Sequence, residues 1–242
     1  MFFHPLYFIL VGPAIILALW AQARVKSAFT KYSQVGNSSN MTGAEAAAQM
    51  LGKLGMRIVD SEEEAANSNN AVAIVPTRGM LSDHYDPRKR TLRLSRDVYN
   101  GRSLASVGIA CHEAGHAIQH AKGYAALEFR NTMVPVASFG SWAAFPIILL
   151  GFFMQAYGLI QIGIALFAVI VLFQLITLPV EYNASNRAKE ALWNLGVIRF
   201  KDERKGVAAV LDAAAWTYVA AALSSVMTLL YYIMIFTGGA RD

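Results

Sequence analysis

From Asn131 to Val180 the chain runs for 50 residues without one Asp, Glu, Lys or Arg. A helix crosses the bilayer core with about 20 apolar residues, so this run is long enough for two crossings joined by a turn. The turn is expected near "QAYG", Gln155 to Gly158. Two further charge-free runs, Met1 to Ala23 and Ala213 to Ala240, each suffice for one crossing. Four transmembrane helices are therefore predicted. A soluble chain would have to bury these runs in a large core, and 242 residues hold too little polar mass to cover them. Composition agrees: 55% of residues are hydrophobic and 15% charged, against roughly 25% charged in ordinary soluble domains.

Orientation follows from where the cations lie. "AQA" at Ala21 to Ala23 has the small-x-small look of a cleavage site, yet no cation precedes the first run, while Arg24, Lys26 and Lys31 follow it. That flank pattern predicts an uncleaved anchor with its amino terminus outside. Four crossings then put residues 24–130 and 181–212 on one side, and these carry 20 of the 21 Lys and Arg residues; only Arg241 is elsewhere. By the positive-inside rule that side is the cytoplasm. The expected location is the cell membrane, multi-pass, with both termini outside. The formal charge of +5 is thereby explained by topology, and no nucleic-acid partner is expected. Cys111 is the one cysteine, so no intrachain disulfide can form, and it reads as a small buried residue.

Between the first two membrane segments the pattern is that of a small α+β domain. "QVGNSSN" at Gln34 to Asn40 reads as a linker. Thr42 and Glu45 form a Thr-x-x-Glu capping box that opens an alanine-rich helix ending near Gly55. "MRIV", "AVAIV" and "TLRLS" predict short strands, separated by a polar "SEEEAANSNN" loop and a "DHYDPRKR" turn. "TLRLS" is either an exposed edge that could pair with an extended peptide or an internal strand. Ser103 and Gly123 bracket one helix of about 20 residues.

That helix carries "HEAGHAIQH". His112, Glu113 and His116 form H-E-x-x-H: two imidazoles one turn apart can grip one zinc ion, with the intervening glutamate as general base. His120 continues the spacing, but at 1.5 Å per residue it lies about 12 Å from His112 along the helix, too far to share the ion. It reads as a polar residue near the helix end. Glu181 is the expected third ligand. It closes the 50-residue run, where a carboxylate beside hydrocarbon is costly unless paired or coordinated. A two-crossing hairpin also returns the chain to the side bearing His112 and His116; one or three crossings would not.

"HEAGHAIQH", "LSDHYDPRKRTLRLS" with "VYNGRS", and "LPVEYNAS" after a hydrophobic hairpin together resemble the YugP-type family of membrane-bound neutral zinc metallopeptidases, over nearly the whole chain. The resemblance implies a gluzincin-like zinc protease with His112, His116 and Glu181 as ligands and Glu113 as the catalytic residue. It departs from the broader gluzincin pattern at Ser185, where an acidic residue is common. The expected fold class is an integral membrane, mainly α-helical protein of about four transmembrane helices with a small, cytoplasm-facing, zincin-like α+β domain. Residues 1–40 are then anchor and linker, 41–130 the soluble domain, 131–180 the hairpin, 181–212 a helical segment with the third ligand, and 213–242 the last transmembrane helix.

The expected activity is hydrolysis of peptide bonds in membrane-associated or misfolded proteins, by zinc-activated water with Glu113 as proton carrier. Candidates for a second oxyanion donor or a substrate contact are His84, Tyr85, Tyr182 and Arg187. The expected partners are a protein or peptide substrate and membrane lipid, with a quality-control protease or a second copy of the chain as further options. A non-catalytic zinc-binding membrane scaffold is the alternative. A transporter ranks behind it, because the predicted spans hold no charged residue apart from Glu181 at their margin.

Overall fold

The computed structural model describes residues 5–79 and 82–239. In chain order its elements are helices α1 (Pro5–Tyr32) and α2 (Gly43–Lys53), strand β1 (Arg57–Val59), helix α3 (Glu62–Ala66) and strands β2 (Ala71–Thr77), β3 (His84–Asp86) and β4 (Thr91–Ser95). Helices α4 (Arg96–Tyr99), α5 (Leu104–Ala121), α6 (Ala125–Phe153), α7 (Tyr157–Asn194) and α8 (Lys201–Gly239) follow. The fold is mainly helical, with four long apolar helices and a small mixed sheet among the described residues. Packing divides them into two units. One takes the described residues of 1–22, 126–179 and 216–242; the other takes those of 23–125 and 180–215. The chain ends, expected outside the membrane, and Arg241 lie beyond the described residues.

The first unit contains the charge-free stretches of α1, α6, α7 and α8, each in a helix long and apolar enough to cross a membrane. Its outer surface is apolar: Trp142 is 77% exposed and Phe153 75%. Side chains of that kind are stable in contact with lipid, not water. Inside the unit small residues let the helices approach. A methyl group on Gly163 would meet Ile148 and, at 3.0 Å, the Ala144 carbonyl oxygen, the close packing typical of membrane helix pairs. The turn expected at "QAYG" joins α6 to α7. Gln155 adopts φ 52°, and the Ala156 N–H reaches back to the Gly151 carbonyl at 2.8 Å, closing a Schellman motif.

The second unit is built around α5 and the sheet. Strand order is β1-β2-β4-β3; β1 and β4 run parallel to β2, and β3 runs antiparallel to β4. Leu92 and Leu94 of β4 join Leu51, Leu104, Ile118, Leu192 and Ile198 in the core. The capping box of α2 forms in full: Glu45 N–H donates to Thr42 Oγ1 at 3.1 Å, and Thr42 N–H donates to Glu45 Oε2 at 2.7 Å. Gly55 and Gly123, the expected stops of α2 and α5, sit at φ 79° and 58°, left-handed conformations that end helices at little steric cost in glycine.

Three local expectations are corrected. β4 lies between β2 and β3, so "TLRLS" is the internal strand and the exposed-edge option falls away. "DHYDPRKR" is more than a turn, because its residues His84–Asp86 form β3, paired through Tyr85↔Leu92; three residues are too few to show an alternating pattern. The polar "SEEEAANSNN" segment contains α3, opened by Ser61 Oγ accepting the Glu64 N–H at 3.0 Å. Its charged composition hid a Ser-x-x-Glu start alongside the Thr-x-x-Glu start of α2.

Candidate metal centre

α5 begins where Ser103 Oγ accepts the Ser106 N–H at 3.1 Å, and it buries Leu104, Val107, Cys111, Ala114 and Ile118 against the core. That places His112 and His116, one turn apart, on the face turned to the last part of α7. Their rings meet edge to face with centroids 4.8 Å apart. Between them is Gly115. A methyl group there would lie 2.8 Å from the Ala184 carbonyl oxygen and 3.1 Å from its Cα. Only a bare backbone lets α7 come this close, and that approach carries Glu181 to the histidines.

Glu181 Oε2 stands 3.3 Å from His112 Nε2 and 3.6 Å from His116 Nε2. Ligand atoms of the three residues all lie within 4.8 Å of one another, the metal-competent group found among the described residues. Ligands about 2.1 Å from a tetrahedral centre are separated by about 3.4 Å, so the carboxylate–imidazole spacings suit one small cation. The hydrogen bonding agrees with that fit. Glu181 is 3% exposed, yet Oε2 has no hydrogen-bond partner. A buried carboxylate oxygen left this way is costly unless a cation satisfies it.

The other ring nitrogens are engaged. His112 Nδ1 lies 3.1 Å from Ser185 Oγ and His116 Nδ1 lies 2.9 Å from Gln119 Oε1. Burial alone would push the His116 imidazole below its ordinary pKa, but the carboxylates of Glu181 and Glu113 outweigh burial and raise it. The two carboxylates therefore stabilise positive charge at His116. Neighbouring Cys111 is buried, which pushes its thiol far up and leaves it a packing residue rather than a ligand.

Glu113 is half-buried, and its Oε2 accepts the Tyr85 N–H of β3 at 3.0 Å. Tyr85 also bonds through its hydroxyl to His120 Nδ1 at 2.8 Å, and burial pushes its phenol up to about 12. His120 is thus turned to β3 and is not part of the metal-competent group. Of the remaining candidates, His84 is exposed, with Nδ1 2.8 Å from the Ser82 carbonyl. Tyr182 is exposed beside Glu181, and Arg187 donates from Nε to Asn183 Oδ1 at 2.7 Å. Sequence reasoning passed over Gly115, Gln119 and Asn183, and met Ser185 only as a departure from the wider pattern. Gly115 did leave a signal: glycine inside a helix is disfavoured by about 1 kcal/mol relative to alanine, so its presence there asks for a packing reason.

Comparison with known proteins agrees with this geometry. The family described as "Putative neutral zinc metallopeptidase" matches residues 7–237. The chain is also similar to a protein of Bacillus subtilis (strain 168) named "Putative membrane protease YugP", with 48% identity over 237 residues, covering 98% of this chain and 99% of the relative. No solved structure matches the chain significantly.

Proposed function

Because the chain belongs to the neutral zinc metallopeptidase family, we propose that it is a membrane-bound zinc metalloendopeptidase, with His112, His116 and Glu181 holding the metal and Glu113 moving the proton. Its substrates are membrane-associated or misfolded proteins, which an active site anchored in the bilayer meets first. The observation that carries this reading is the convergence of two imidazole Nε2 atoms on a buried carboxylate oxygen that has no other partner. Zinc bound by that donor set supplies a Lewis acid that polarises a carbonyl and acidifies a water.

The chain's own residues do the rest. Glu113 follows His112 directly, and its carboxylate is held by the Tyr85 N–H through one oxygen; the other is left to take a proton from the attacking water and return it to the leaving amine. β3 is the outer strand beside β4, so an extended substrate can align along it by main-chain pairing. His84, Tyr85, Tyr182 and Arg187 are the candidates for oxyanion stabilisation or substrate contact; among them the Tyr85 hydroxyl keeps its proton at neutral pH and is paired with His120 Nδ1. With 20 of 21 basic side chains on the segments between the spans, the active site faces the cytoplasm.

The scaffold reading draws on the same burial, since a metal could serve only to tie α5 to α7. Glu113→Ala separates the two. Assayed on unfolded casein in detergent, the variant should lose cleavage by at least roughly 100-fold while zinc content stays at the wild-type level. Equal cleavage by both proteins would remove Glu113 from its role. Zinc-loaded wild type that cleaves neither casein nor denatured membrane protein would favour the scaffold.

A further inference from the structure

Gln119 lies one turn beyond His116 on α5 and is fully buried. Its Nε2 is 2.8 Å from the Val180 carbonyl and 3.0 Å from Asn183 Oδ1, and its Oε1 is 2.9 Å from His116 Nδ1. The orientation of this amide is dictated twice. A main-chain carbonyl can only accept, so the group facing Val180 must be the NH2. Independently, Arg187 Nε can only donate, so its partner on Asn183, 2.7 Å away, must be the oxygen. That same oxygen faces Gln119, which must again donate. Both anchors leave Oε1 toward His116. An amide oxygen only accepts, so Nδ1 carries the proton, and the neutral ring keeps its lone pair on Nε2, the atom 3.6 Å from Glu181.

We propose that Gln119 is a positioning residue that keeps the proton of the neutral His116 ring on Nδ1 and, by holding the Val180 carbonyl, fixes the main chain immediately ahead of Glu181. One side chain thereby sets the chemistry of one ligand and the place of another. The two histidines differ in this respect. His112 faces Ser185, whose hydroxyl can donate or accept and so imposes no tautomer. The inference rests on the metal site proposed above, but its first readout does not.

The test uses full-length protein in detergent micelles, stripped of metal and labelled with 15N-histidine, followed upward in pH until the His116 ring has lost its charge. His116 is assigned from the resonances lost in His116→Asn. The wild type should show a protonated Nδ1 and a bare Nε2 on that ring. Gln119→Met, of similar volume but a much weaker acceptor with no N–H to donate, should give a mixture of tautomers. Its zinc affinity, read by competition with a fluorescent chelator, should fall roughly 10- to 100-fold. A role as a mere tie between helices would lower melting temperature without moving the tautomer. An Nε2–H ring in the wild type overturns the proposal, as does Gln119→Met with the wild-type tautomer and affinity. If that variant does not fold, the wild-type spectrum decides alone. A wild-type chain with the Nδ1–H ring that binds no zinc would count against the metal site and leave the hydrogen-bond relay standing.

Discussion

Gly115 occupies the fourth position of His112-Glu113-Ala114-Gly115-His116, where zinc chemistry asks for no particular side chain. Its role is steric, because any Cβ would press on the Ala184 backbone. Overpacking of this kind costs about 1–3 kcal/mol, more than the few tenths that replacing glycine by valine returns in helix propensity. Gly115→Val is therefore expected to destabilise the fold and to weaken zinc binding at least tenfold by chelator competition, because relief comes from moving α7, and Glu181 moves with it. Undiminished affinity in that variant would mean that the close approach is incidental. The same residue-scale view explains Ser185, which stands where an acidic residue is common in the wider pattern. Its hydroxyl reaches His112 Nδ1, so the position still serves the histidine, with a neutral group in place of a charged one.

Among the elements, α2 shows how local chemistry positions the site from a distance. Its capping box is complete, and its buried face supports α5 through Leu51 and Met50. Thr42→Ala should cost about 1 kcal/mol in thermal or denaturant melts. The hydrogen bond from the Thr42 N–H holds the Glu45 carboxyl below the ordinary carboxylate range. A depressed folded-state pKa contributes stability above the unfolded value and loses it as pH falls through the folded one. The melting difference between wild type and Glu45→Gln should accordingly be widest above about pH 5 and should close in stronger acid; a gap constant across that window would show that the carboxylate charge is irrelevant to the cap. β3 is the element that composition concealed. It exists because the Asp86 carboxylate accepts the Arg88 N–H at 2.9 Å and closes the turn into β4, and through Tyr85 it becomes the strand that touches Glu113.

For the molecule as a whole, the proposed orientation is open to labelling. Cys111 is buried with its thiol pushed up, so it should stay silent to a membrane-impermeant maleimide. Cysteine introduced at exposed Glu63 should react only after the cytoplasmic face is opened, and cysteine at exposed Met154, beside the α6–α7 turn, should react on intact cells. The reverse pattern would invert the protein in the membrane. Four long apolar helices were legible in the residues alone, since lipid excludes charge and a run without charge can be counted along one dimension. The His112–His116 pair was legible for a similar reason: helical period is local, and spacing four puts both rings on one face. What only the tertiary structure decided lies between segments. The amide of Gln119 meets the carbonyl of Val180 across 61 positions of sequence, and Glu181 reaches its imidazoles because a missing Cβ lets two backbones touch. Neither leaves a periodic trace, because hydrogen-bond polarity and helix separation are set by packing in three dimensions.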